Sequence, residues 1–113
     1  MTDMLVVEFA PEEHNYLVVG DQSFFLLMTC NEGVQVCRDG CPHRGGPLHL
    51  GRMDCRTRSL TCPWHETVFT EHALSHRCVP SVMSGGRITA VFPAEPGTPV
   101  RRVWKRIIAN EHP

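Results

Sequence analysis

Two short stretches hold the residues best suited to chemistry: Cys41-Pro42-His43-Arg44-Gly45-Gly46-Pro47-Leu48 and Cys62-Pro63-Trp64-His65. Each offers one thiol and one imidazole on a Pro- or Gly-containing turn, and eighteen residues separate His43 from Cys62. Thiolates and neutral imidazoles are the donors that hold transition metals. A structural zinc site is one use of such a set. The spacing here is C-x-H followed by C-x-x-H, which departs from the usual zinc pattern of paired cysteines followed by paired histidines. Matched pairs of this kind point to a metal centre that uses both residue types from both turns.

Cys41-Pro42-His43-Arg44-Gly45-Gly46 and Cys62-Pro63-Trp64-His65 resemble the ligand loops of Rieske-type [2Fe–2S] proteins. The resemblance implies one cluster per chain, with Cys41 and Cys62 on one iron and His43 and His65 on the other. An oxidised core of two ferric irons and two sulfides is formally dicationic. Four thiolates would make it a dianion, whereas two thiolates and two neutral imidazoles leave it neutral. A neutral centre takes up an electron more easily, so His ligation raises the potential, to about −150 to +300 mV for the class. Gly45 and Gly46 would let backbone N–H groups approach the cluster sulfurs, a further lever on potential.

The resemblance also places the chain within the family. High-potential members carry a disulfide between the two ligand loops, at positions occupied here by Gly46 and Trp64. That bridge cannot form, so the sequence is similar to the low-potential, soluble branch of Rieske-type ferredoxins and oxygenase domains. The tuning Tyr of high-potential members falls at Phe69, and the tuning Ser at Thr67. Glu66 stands where the family usually has Gly. Val79-Pro80-Ser81 is the expected third loop, covering the cluster.

The elements that must carry these loops read as short strands. Apolar and β-branched runs fall at residues 5–9, 16–19, 24–29 and 34–37, with a hairpin signal at Gly20-Asp21-Gln22-Ser23 and a turn at Asn31-Glu32-Gly33. Residues 52–61 suit one or two short strands between the ligand loops, and 67–69 returns to extended structure. Residues 81–86 read as a loop, 87–92 as a strand and 93–99 as a Pro-rich connector. The expected fold is all-β: a Rieske-like antiparallel sandwich or barrel, a single domain over 1–113, with a cluster-binding subdomain at about 40–70. In the tail, Val100, Val103, Trp104, Ile107 and Ile108 recur at helical spacing, with Arg101, Arg102, Lys105 and Arg106 between them. That pattern predicts an amphipathic helix over about 100–109, packed on the sheet or docking a partner.

No apolar run approaches the roughly 18–20 residues of a membrane span. The start lacks the basic and apolar regions of a signal peptide. A cytoplasmic, reduced setting is therefore expected. In that setting Cys30, Cys37, Cys55 and Cys78 read as small buried hydrophobes rather than disulfide partners. His14, His49, His72, His76 and His112 read as solvated or structural. Net charge is −1, with seven acids and one base through Asp39 and ten bases and five acids after it. The basic half could guide an acidic redox partner.

The implied function is a one-electron carrier, not an enzyme by itself. It would take electrons from a flavin-dependent reductase and pass them to an oxygenase or hydroxylase. Neither nucleic acid nor membrane is an expected partner. Two alternatives remain open at this point. One is a subunit role, either in a nitrite-reductase-type enzyme or as a detached oxygenase cluster domain. The other is a zinc-stabilised interaction module.

Overall fold

The computed structural model describes residues 3–31, 33–40, 46–64 and 67–112. Eleven strands are described: β1 (Leu5–Phe9), β2 (Tyr16–Val19), β3 (Gln22–Met28), β4 (Val34–Arg38), β5 (Arg52–Asp54), β6 (Ser59–Thr61), β7 (Val68–Thr70), β8 (Cys78–Val79), β9 (Ser81–Ser84), β10 (Arg87–Phe92) and β11 (Val100–Val103). A five-residue helix, α1 (Glu71–Ser75), follows β7. The strands form three antiparallel sheets, in the orders β1-β10-β9, β11-β2-β3-β4-β8 and β5-β6-β7.

The five-stranded sheet is the middle layer, and β3 shows why. Successive side chains on a strand point to opposite faces. Phe24 and Leu26 join one buried cluster with Val7, Phe9, Ile88 and Phe92, while Phe25 and Leu27 join the other with Leu48, Leu60, Cys62 and Leu74. A strand buried on both faces reads as a continuous apolar run, as Phe24-Phe25-Leu26-Leu27 does. Each of these side chains stabilises the fold by about 1.5–3 kcal/mol on burial. The first cluster packs the middle sheet onto β1-β10-β9. The second, the lower core, packs it onto the β5-β6-β7 sheet and the turn at Leu48–Leu50.

Residues 81–86 form a hairpin arm rather than a loop. β9 pairs with β10 from Ser81↔Ala90 to Ser84↔Arg87. The two residues between, Gly85 and Gly86, have φ of +60° and +77°, the conformation a tight two-residue hairpin requires. Val82 and Met83 are exposed on this edge strand, so no buried alternation marks it in the sequence.

The tail is a strand, not the expected helix over 100–109. β11 pairs with β2 from Val100↔Val19 to Val103↔Tyr16. Val100 packs on one buried cluster and Val103 on the other, so their three-residue spacing comes from a strand serving two cores. The Asn15 side chain then continues the ladder. Its amide donates to the Lys105 carbonyl at 2.7 Å and its oxygen accepts from the Lys105 N–H at 2.8 Å. Ile107 and Ala109 are buried against the lower core, whereas Trp104 is 61% exposed. Docking through a helix at 100–108 falls with the helix.

The charge split along the chain is partly undone by folding. Glu8 on β1 pairs with Arg87 on β10, and Arg102 donates to the Glu8 carbonyl.

Candidate metal centre

Of the four expected ligands, Cys62 lies within the described residues; Cys41, His43 and His65 lie outside them. Cys62 is fully buried in the lower core and carries a free thiol. It directly follows β6, and its N–H donates to the Thr67 carbonyl at 2.8 Å just before β7. That bond closes the second ligand loop at its base, so the β6-β7 hairpin sets where the loop begins and ends.

The first loop is closed by a side-chain network. Asp39, just after β4, accepts from the His49 N–H at 3.1 Å, contacts His49 Nδ1 at 2.8 Å, and accepts a short hydrogen bond from Tyr16 O–H. One carboxylate thereby joins the two ends of the loop and ties both to β2. Burial opposes the charged carboxylate, but the hydrogen bonds from His49 and Tyr16 outweigh it and hold Asp39 below its usual range. Burial first, and Asp39 second, push the Tyr16 hydroxyl up to about 12. The Tyr16 ring stands edge-on to His49 at 5.3 Å, with the Lys105 ammonium 4.2 Å over its face.

The two loops meet at Gly46. A Cβ there would lie 3.0 Å from Cys62 Sγ and 3.3 Å from Cβ and Cγ of Trp64. The last separation is close to the Cβ spacing of a disulfide, so the two positions expected to face one another across the loops do so. Only a residue without a side chain leaves Cys62 Sγ undisturbed. The donor chemistry fits a metal: among the five described cysteines, four are paired and Cys62 is the thiol left over. Its sulfur sits at the junction of the two Cys/His loops.

The other four cysteines correct the sequence reading. Cys37 and Cys78 are register partners on β4 and β8 and are joined as a disulfide. Cys30, after β3, is joined to Cys55, after β5. Cys37 is fully buried, but Cys30, Cys55 and Cys78 are only half-buried. Antiparallel register brought the first pair together and tertiary packing the second; neither is visible as local spacing.

Phe69 packs half-buried against the lower core, and Thr67 is half-buried beside the loop. Glu66 lies outside the described residues. Val79-Pro80-Ser81 is not a cover for the centre. The Arg38 N–H bonds the Arg77 carbonyl, and Cys78 and Val79 pair with Cys37 and Val36, so this segment runs away from the first loop. Arg77 reaches the loop instead, donating to the Gly40 carbonyl.

His49 is the structural histidine expected, and its partner network was missed. The available signal was its position: Asp39 and His49 bracket the Gly- and Pro-rich stretch that must be pinned at both ends. His72 and His76 stack edge-on at 5.0 Å on exposed positions. Among the described residues no third donor joins them to make a metal site.

A family model described as the Rieske [2Fe-2S] domain matches residues 2–93, spanning both candidate loops. No curated protein and no solved structure matches the chain.

Proposed function

The chain belongs to the Rieske [2Fe–2S] domain family, whose domains bind a [2Fe–2S] cluster and transfer electrons, and from that premise we propose that Cys41, His43, Cys62 and His65 hold the cluster of a one-electron carrier. Bound there, the cluster would supply a centre that gains and loses single electrons. Cys62 is the observation that carries the ligand assignment. It is the one free thiol among the described residues, buried where the Gly46 and Trp64 loops meet.

The chain's own residues position and shield that centre. Asp39, His49 and Tyr16 pin the first loop, and the Cys62–Thr67 backbone bond pins the second. Gly46 leaves room for the sulfur. Phe69 offers no hydroxyl to a cluster sulfur, which keeps the expected potential toward the low end of the class.

Electrons enter from a flavin-dependent reductase and leave to an oxygenase or hydroxylase in this reading. Trp64 is 62% exposed, and Val68 and Leu50 are exposed as well. Trp64 and Val68 flank the second loop and Leu50 follows the first, apolar surface suited to transient docking. No helix among the described residues is long and apolar enough to cross a membrane. The setting proposed is the cytoplasm, whose thiol buffers would act to open the Cys30–Cys55 and Cys37–Cys78 disulfides.

The test is anaerobic titration of the iron-loaded protein with a reduced flavoprotein reductase. A carrier takes up one electron per chain and returns it to an oxygenase component. Cys62→Ser abolishes uptake by losing the iron. Uptake of more than one electron per chain, or full iron retention in Cys62→Ser, contradicts the assignment.

A further inference from the structure

Cys30, Cys55 and His112 come from three distant parts of the chain: the end of β3, the turn after β5 and the tail. Their two sulfurs and one ring nitrogen all lie within 4.8 Å of one another, and all three residues are half-buried. They are therefore open to an ion from solvent.

The setting of the imidazole points the same way. His112 Nε2 lies 3.1 Å from the Met28 carbonyl, and Nδ1 lies 3.4 Å from Cys55 Sγ. A carbonyl only accepts, so Nε2 carries the hydrogen, and it is Nδ1 that faces the sulfur, the nitrogen left to offer a lone pair in that tautomer. Metal-ligating histidines are oriented in this way, by donating their other ring N–H to a backbone carbonyl. The tail that brings His112 there is itself fixed. Asn110 accepts from the Met28 N–H at 2.7 Å and donates to the Leu26 carbonyl at 2.8 Å.

We propose that Cys30, Cys55 and His112 form a redox-gated site for a thiophilic divalent cation of the zinc type, closed as a disulfide and opened on reduction. A dithiol of the thioredoxin class supplies the opening step. It gives two electrons and two protons, the Cys30–Cys55 bond breaks to two thiols, and the dithiol leaves as its own disulfide. The cation then displaces both thiol protons to solvent. Two thiolates and one neutral imidazole balance its charge and leave the fourth tetrahedral position to water. In either state the β5-β6 hairpin stays fastened to the end of β3. The metal state also fastens the tail. None of the four proposed cluster ligands takes part.

Zinc itself is the probe. Iron-loaded protein is reduced with dithiothreitol, desalted anaerobically, given one equivalent of zinc, passed through gel filtration and assayed for both metals. The expected result is one zinc per chain with iron unchanged, and no zinc on the oxidised protein. Cys30→Ser/Cys55→Ser should retain none. His112→Ala should bind zinc at least tenfold more weakly while still forming the Cys30–Cys55 disulfide on oxidation, and its cluster spectrum reports that it is folded. Reduced protein that retains no zinc overturns the proposal. So does His112→Ala with undiminished affinity, or zinc that enters only as iron leaves.

Discussion

Replacing Asp39 with Ala should cost the protein a large part of its stability and loosen the first ligand loop in particular. The carboxylate receives three donors: Tyr16 O–H, the His49 N–H at 3.1 Å and His49 Nδ1 at 2.8 Å. The Asp39 side chain is 6% exposed and that of His49 10%, so the orphaned donors do not recover full hydration. A buried donor left unpaired costs about 1–3 kcal/mol. Three of them, partly relieved by water entering the vacated space, bring the loss to about 3–5 kcal/mol, against a typical stability of roughly 5–15 kcal/mol. Asp39→Asn preserves volume and can still accept the His49 N–H, so it should cost only about 1–2 kcal/mol. Urea unfolding with an unchanged m value measures both. Iron release to a chelator under native conditions measures the loop itself. A weakening of about 3 kcal/mol in loop closure speeds release about a hundredfold if release follows loop opening. A loss below about 1 kcal/mol in Asp39→Ala would refute the network. Reduced stability with unchanged iron release would show that it does not support the loop.

Three further outcomes follow from the same contacts. Gly46→Ala puts a Cβ 3.0 Å from Cys62 Sγ; crowding of about 1–3 kcal/mol should lower iron per chain while far-ultraviolet circular dichroism stays native, and full iron loading would count against it. Asn15→Ala removes both bonds to the Lys105 backbone and should cost about 2–3 kcal/mol, with faster hydrogen exchange at residues 104–106; unchanged exchange would contradict the strand-like tail. Tyr16, raised from 10.0 to about 12, favours its protonated form in the folded state. Its contribution is therefore complete below about pH 10 and lost as pH rises toward 12, on the order of 2–3 kcal/mol. Tyr16→Phe should show a correspondingly shallower loss across that window; parallel wild-type and variant curves would oppose the cause assigned.

Much of this architecture is written locally. The runs at 5–9, 16–19, 34–37 and 87–92 become strands because each presents a face to a core, and the two Cys/His turns stand out by residue type and spacing alone. What failed has a common cause in tertiary pairing. Val100 and Val103 mimic a helical face because one strand feeds two cores. β9 escapes notice because it is an exposed edge held by its partner and a Gly85–Gly86 turn. Cys37 and Cys78 are far apart in the chain and adjacent only through the β4-β8 register. Asp39 and His49 carry no motif between them, yet they decide whether the ends of the first ligand loop stay together.

The central claim is that this chain holds a [2Fe–2S] cluster on two Cys and two His. Electron paramagnetic resonance of the reduced, purified protein, with iron and sulfide counted per chain, tests it most directly. The account predicts a red-brown protein with two irons and two labile sulfides per chain, from the stoichiometry of the cluster, and a reduced signal whose low average g reports nitrogen ligands on the reducible iron. A colourless protein with zinc at Cys62, or a cluster whose signal is that of four thiolates, would contradict it.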